Sequence, residues 1–260
     1  MIQTFRTLKI LLHIILGLGM ILFTGAFIRN DLAHVKAAKC WWMKKTISLL
    51  NIHINLNGSL PKPDQKGLLF VSNHVSWVDI PVIGSLTPLS FLSKAELKNW
   101  PLIGLLAQGA GTLFIQRGAG DTARVSKEIG VQLAQGNSVL FFPEGTTSDG
   151  LTVKNFHRKL FKVCETPNIL VCPITLNYSI PGAHNNPVAF IGDDLFTAHL
   201  WNLLKHPRIN VSVNILSLRE IDVTDLKNSV HNLQLEMKHC VENDGYSCTS
   251  TNDSHALQLP

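Results

Sequence analysis

The sequence is short of charge. Asp, Glu, Lys and Arg make up only 16% of its 260 residues, against about 25% in an average soluble protein. Acids are scarcest at the front: residues 1–66 hold nine Lys or Arg but only Asp31 and Asp64. The balance is +7 there and −2 over residues 67–260. Nucleic-acid binders carry basic residues on the folded domain, so this asymmetry argues against a nucleic-acid partner and fits a front segment lying on anionic headgroups. The five cysteines, Cys40, Cys164, Cys172, Cys240 and Cys248, include no C-x-x-C pair, which argues against a disulfide framework and a zinc site. There is no G-x-S-x-G nucleophile setting, no internal repeat and no linker long enough to split the chain after residue 51. With 45% hydrophobic residues and a mean hydropathy of +0.17, part of the chain is expected to touch lipid without being a multi-span protein.

What is present begins with an apolar run. Ile10 to Ile28 holds nineteen residues without a formal charge, about 28 Å of helix, close to the hydrocarbon thickness of a bilayer. It is longer than a signal-peptide core and no A-x-A site follows, so a retained anchor is expected. His13 is its one strongly polar interruption. Leu32 to Leu50 reads as an amphipathic helix with Trp41, Trp42 and Met43 among Lys36, Lys39, Lys44 and Lys45, a mixture suited to a headgroup boundary. The excess of cations after the run places the rest of the chain on the cytoplasmic side of the inner membrane. Whether the anchor crosses the bilayer or enters one leaflet stays open at this level.

From residue 52 the pattern alternates between β and α, predicting one mixed α/β domain behind the anchor. Strands are expected at 52–56, 67–73, 89–92, 112–115, 138–142, 169–176, 188–191 and 210–216. Helices are expected at 78–85, 102–108, 121–134, 158–164, 195–204 and 223–241. The division is an anchor and interfacial helix over 1–50, an α/β domain over 51–242 and a polar, disordered tail over 243–260.

Two segments stand apart from the packing pattern, each directly after a buried strand, where open α/β sheets place their sites. The first runs Ser72-Asn73-His74-Val75-Ser76-Trp77-Val78-Asp79. On one continuous helix His74 and Asp79 would lie about 140° apart; with His74 in the turn before the helix they can converge. An imidazole held by a carboxylate is a general base of fixed tautomer, or a capped helix start beside a satisfied histidine. The second runs Phe141-Phe142-Pro143-Glu144-Gly145-Thr146-Thr147-Ser148-Asp149-Gly150. Its glycines permit close backbone approach to a ligand.

Together the two segments resemble the 1-acylglycerol-3-phosphate acyltransferase family of glycerolipid acyltransferases, which carries N-H-x-x-x-x-D (here Asn73–Asp79) and F-P-E-G-T (here Phe142–Thr146) about 65 residues later. Phe114-Ile115-Gln116-Arg117, Val171-Cys172-Pro173-Ile174 and Ser93-Lys94-Ala95-Glu96-Leu97 resemble the family's weaker blocks, so the resemblance covers about residues 67–180 in order. It implies that His74 deprotonates a lysophospholipid hydroxyl, which attacks an acyl thioester, and that Asp79 orients His74. It further implies that Lys94, Arg117, Glu144, Gly145 and Thr146 bind the acceptor, with Arg117 on its phosphate. No cofactor or metal is implied; acyl-CoA or acyl-carrier protein is the co-substrate, and membrane lipid is the other partner.

The sequence departs from the family at one position. Many members continue E-G-T with arginine or serine, and Thr147 stands here, which puts the headgroup in question more than the chemistry. Lys154, Arg158, Lys159 and Lys162 follow, and Arg158 could serve a phosphate monoester. The expected reaction is lysophosphatidate to phosphatidate in phospholipid biosynthesis. The alternatives are acylation of another lyso-lipid such as lyso-ornithine lipid, a membrane-bound thioesterase using the same pair on water, and a non-catalytic lipid-binding protein.

Overall fold

The structure, a computed structural model, describes residues 2–27, 29, 32–62, 64–116, 120–183 and 186–243. Arg117 and the tail from residue 244 lie outside the described residues.

Seven strands form one sheet in the order β1-β7-β6-β2-β5-β3-β4: β1 (Ile52–Asn57), β2 (Leu69–Ser72), β3 (Ser90–Lys94), β4 (Leu113–Ile115), β5 (Val139–Phe141), β6 (Val171–Ser179) and β7 (Ile209–Ile215). Strands β6, β2, β5, β3 and β4 run parallel; β7 is antiparallel to β6 and parallel to β1. The central strands are fully buried because both faces are covered, which is why they read as unbroken apolar runs. Side chains alternate between the faces. Phe70 and Leu140 join the core under α2 (Ala33–Leu49), α3 (Asp79–Leu86) and α6 (Phe196–Leu203). Leu69, Val71, Val139 and Phe141 join the core under α5 (Thr122–Ala134) and α7 (Leu226–Glu242). Helix α4 is Ile103–Gly109.

The apolar front run is helix α1, Ile2–Thr24. It does not stand away from the domain. Ile10 joins the core cluster that holds Met43 of α2 and Leu50 just after that helix. His13 Nε2 lies 3.0 Å from both the Trp42 carbonyl and Thr46 Oγ1, its ring stacks on Trp42, and the Trp42 indole N–H donates back to the His13 carbonyl at 3.0 Å. Further along, Ile21 lies against Gly109 of α4. Phe5, Leu8, Leu12, Ile15 and Phe23 are exposed on the same helix, as is Trp41 on α2.

One expected strand is absent. Residues 188–191 form no ladder, because their backbone groups are bonded to loops: the Phe190 N–H donates to Val75 O at 3.0 Å, its carbonyl accepts the Thr147 hydroxyl, and the Ile191 N–H donates to Asp194 Oδ2 at 3.0 Å. The helix expected at 158–164 is a 3-10 helix, Arg158–Glu165.

Candidate active site

Parallel pairing makes the site. Val71 of β2 is in register with Phe141 of β5, so the chain leaves both strands at the same end of the sheet and the two motifs emerge side by side. Asn73 fixes the first exit: its side-chain Nδ2 donates to Leu176 O at 3.0 Å and its Oδ1 accepts the Leu176 N–H at 2.8 Å. The side chain therefore continues the pairing with β6 that the backbone has just abandoned.

The turn then brings His74 back over the start of α3. His74 Nδ1 lies 2.8 Å from Asp79 Oδ2, and the same oxygen accepts the N–H groups of Val75 at 2.8 Å and Ser76 at 3.0 Å. Asp79 Oδ1 accepts the Tyr178 hydroxyl at 2.8 Å. Four donors hold this buried carboxylate immobile. Oδ2 already acts as acceptor for two backbone N–H groups, so Nδ1 is the donor to it and carries the ring proton, and Nε2 presents its lone pair. The His74 ring stacks on Phe142 with centroids 3.8 Å apart, fixing its plane from the second motif. Tyr178 is half-buried against the core, and desolvation together with Asp79 pushes its hydroxyl well above the ordinary tyrosine range, so it stays a proton donor.

Glu144 binds the motifs to each other. Its Oε1 accepts the His74 N–H at 2.8 Å and its Oε2 accepts the Lys154 N–H at 3.0 Å. It is buried and does not line the cavity. Burial pushes its carboxyl up to about 7, against the lowering effect of both N–H groups.

His74 opens on a cavity of about 1020 Å³. Gly145, Thr146 and Thr147 line it beside His74; Lys94 and Arg158 line it from β3 and the 3-10 helix; Ile10, His13 and Ile14 of α1, Trp42 of α2 and Phe196 of α6 wall it with apolar surface. Arg158 is exposed and has no carboxylate partner among the described residues. A histidine oriented by a carboxylate and opening on a largely apolar cavity suits proton transfer at the polar end of a fatty chain.

Sequence reasoning missed Tyr178 and the tie through Glu144. Tyr178 was accessible in principle: it follows Ile174 and Leu176 at period two, which puts it on the sheet face that carries α3. The Glu144 contacts are to backbone N–H groups and leave no trace in residue types.

Residues 53–177 match the family model for acyltransferases. The lyso-ornithine lipid O-acyltransferase of Pseudomonas aeruginosa is 37% identical over 215 residues, 81% of this chain and 82% of that protein. The 1-acyl-sn-glycerol-3-phosphate acyltransferase of Neisseria gonorrhoeae is 30% identical over 66% of this chain and 69% of that protein. The crystal structure of the 1-acyl-sn-glycerophosphate acyltransferase of Thermotoga maritima has the same fold, with a TM-score of 0.67 over 96% of this chain and 97% of that one at 18% identity.

Proposed function

The chain belongs to the acyltransferase family and transfers an acyl group to a lysolipid; on that premise we propose that its acceptor is a lyso-lipid of the lyso-ornithine kind, with an ammonium and a carboxylate in the headgroup in place of a phosphate. The observation that carries this choice is Thr147. Where many relatives have a cation, this hydroxyl is spent on the Phe190 carbonyl. Among the described residues, the charged groups lining the cavity are also of both signs, Lys94, Arg158 and Lys159 with Glu96 and Asp121, which suits a zwitterion better than a dianion. The extent of the match to the Pseudomonas aeruginosa protein supports the same reading. Lysophosphatidate is the second reading, favoured by the unpaired guanidinium of Arg158, which could grip a phosphate bidentately.

His74 Nε2 takes the proton of the acceptor hydroxyl as its oxygen attacks the thioester carbonyl. The tetrahedral intermediate collapses, the carbon–sulfur bond breaks, and the leaving thiolate takes the proton from His74. Asp79 holds the ring and stabilises the imidazolium in between. Gly145, Thr146 and Thr147 line the cavity beside His74, and backbone N–H groups of this turn would serve the oxyanion. The donor is an acyl thioester, of coenzyme A or of acyl-carrier protein. Helix α1 lies along the membrane with its exposed face in lipid, since its contacts to the domain run from Gln3 to Ile21, and the α/β domain faces the cytoplasm.

The test is acyl transfer by the full-length protein in vesicles, with lyso-ornithine lipid and lysophosphatidate of matched chains and with no acceptor. At least a tenfold higher kcat/KM is expected on lyso-ornithine lipid, about 1.4 kcal/mol of discrimination. The reverse preference establishes the second reading, and free fatty acid released equally without acceptor establishes a thioesterase.

A further inference from the structure

Helix α6 is gripped from two directions. At its C-terminal end, one guanidinium nitrogen of Arg6 on α1 donates to the Leu204 and His206 carbonyls, each at 2.8 Å, and Gln3 Nε2 donates to Trp201 O at 3.0 Å. The last carbonyls of a helix lack intrahelical donors and carry its negative end, so a guanidinium is a favoured cap. On its inner face, His199 Nδ1 accepts the Trp77 indole N–H at 3.0 Å, and His199 Nε2 lies 3.0 Å from Ala189 O. An indole nitrogen only donates and a carbonyl only accepts, so His199 is the neutral Nε2–H tautomer.

Trp77 stands between His74 and Asp79 in the first motif. It meets Phe196 of α6 edge to face with centroids 5.0 Å apart, and Trp77, Phe196 and Leu200 all line the cavity. The wall of the cavity next to the base is therefore carried by a helix whose far end is capped from the lipid-facing helix.

We propose that Arg6 is a positioning residue for acyl transfer: by capping α6 from α1, it holds Phe196 and Leu200, and through His199 also Trp77, where they grip the acyl chain beside His74. The proposal rests on acyl transfer in this cavity and on α1 lying against lipid; it is independent of which headgroup the acceptor carries.

The experiment compares full-length wild type, Arg6→Ala, Arg6→Lys, His199→Phe and the Arg6→Ala/His199→Phe double variant, each in vesicles, with whichever acceptor wild type uses best. Vesicle co-sedimentation and thermal unfolding are measured beside kcat and KM over a series of acyl-donor chain lengths. Arg6→Ala is expected to co-sediment like wild type and, having lost a helix cap, to melt somewhat lower while staying folded at the assay temperature, yet to lose about tenfold in kcat/KM, with a flattened chain-length profile. Arg6→Lys keeps a donor and a charge and recovers part of the loss. Because both residues act through α6, the double variant loses no more than the worse single one. Additive losses, an unchanged chain-length profile in Arg6→Ala, or loss of vesicle binding that accounts for the lost activity would each overturn the proposal. If Arg6→Ala proves too unstable to assay, the His199→Phe profile decides: unchanged chain selectivity there overturns it equally. A wild type that prefers lysophosphatidate changes the acceptor assignment and leaves this comparison intact.

Discussion

Tyr178 holds Asp79 from the opposite side to His74. Its hydroxyl donates to Oδ1 at 2.8 Å while His74 Nδ1 and two N–H groups converge on Oδ2. The proposed base is thus oriented by a carboxylate that is itself oriented from strand β6.

Tyr178→Phe keeps the ring packing and deletes only that donor. Asp79 then keeps one oxygen fully bonded and loses the partner of the other. Acyl transfer should fall about five- to thirtyfold in kcat with KM little changed, as expected for an interaction worth roughly 1–2 kcal/mol felt in the transition state. Steady-state kinetics check it; wild-type kcat would show that the Oδ2 contacts suffice.

His74→Ala should abolish acyl transfer beyond the ~10²–10⁴ contributed by a general base alone, because the oriented pair is lost as a unit. Asp79→Asn should come close to it, since an amide donates as well as accepts and cannot satisfy four donors. Transfer rates on membranes, with circular dichroism to confirm folding, measure both. Activity within a few-fold of wild type in His74→Ala would sink the assignment of the base.

Glu144 should give stability a pH slope. Its carboxyl is raised from 4.5 to about 7 by burial, so between those values the folded chain keeps a proton that the unfolded chain has released. Stability from this group is therefore full below about 4.5, falls as pH rises through 7, and levels off above; the span is at most about 3 kcal/mol. Glu144→Gln should erase that slope and lower stability at pH 5, because its NH₂ would face one of the two N–H donors. Urea unfolding of both proteins from pH 5 to pH 8 reads the difference, and parallel curves would contradict it.

The exposed face of α1 should govern membrane binding without governing folding. Leu12→Asp and Phe23→Asp each place a charge on that face and should weaken vesicle binding by tenfold or more, at roughly 2–3 kcal/mol per charge, with unfolding midpoints unchanged. Ile10→Asp, in the core beside Met43, should instead destabilise the fold. Deleting residues 1–30 confounds the two effects, since it removes the Ile10 and His13 contacts together with the lipid-facing surface. Co-sedimentation of Leu12→Asp equal to wild type after a high-salt wash would place the membrane contact elsewhere.

The elements that pack by period were legible in the sequence. Strands β1 to β7 and helices α2 to α7 lie where alternation or helical spacing puts them, because burial selects residue types along the chain, whereas α1 (Ile2–Thr24) begins eight residues before the uncharged run that announced it. Residues 188–191 were misread for the same reason. Val188 and Phe190 do bury or half-bury their side chains, yet the Phe190 backbone is bonded to Val75 and Thr147 rather than to a strand. His74 and Asp79 could be named from their spacing, but not the role of Thr147, whose partner is a carbonyl 43 residues away. Contacts from side chain to distant backbone do not constrain the distant residue's identity, so no pattern records them.

Helix α1 turns Ile10, His13 and Ile14 to the cavity and Leu8, Leu12 and Ile15 outward, the outward side facing lipid in the proposed placement. With α1 so placed, a fatty chain passing between the bilayer and the proposed base would have a route past Ile10, His13 and Ile14 that avoids bulk water. Extraction into water would cost about 0.8 kcal/mol per methylene, more than ten for a long chain, and would make desorption the slow step. Sliding along α1 removes that barrier. Turnover should then follow the mole fraction of acceptor in the membrane surface rather than its bulk concentration, so diluting it with inert phospholipid slows the reaction while diluting the whole suspension does not.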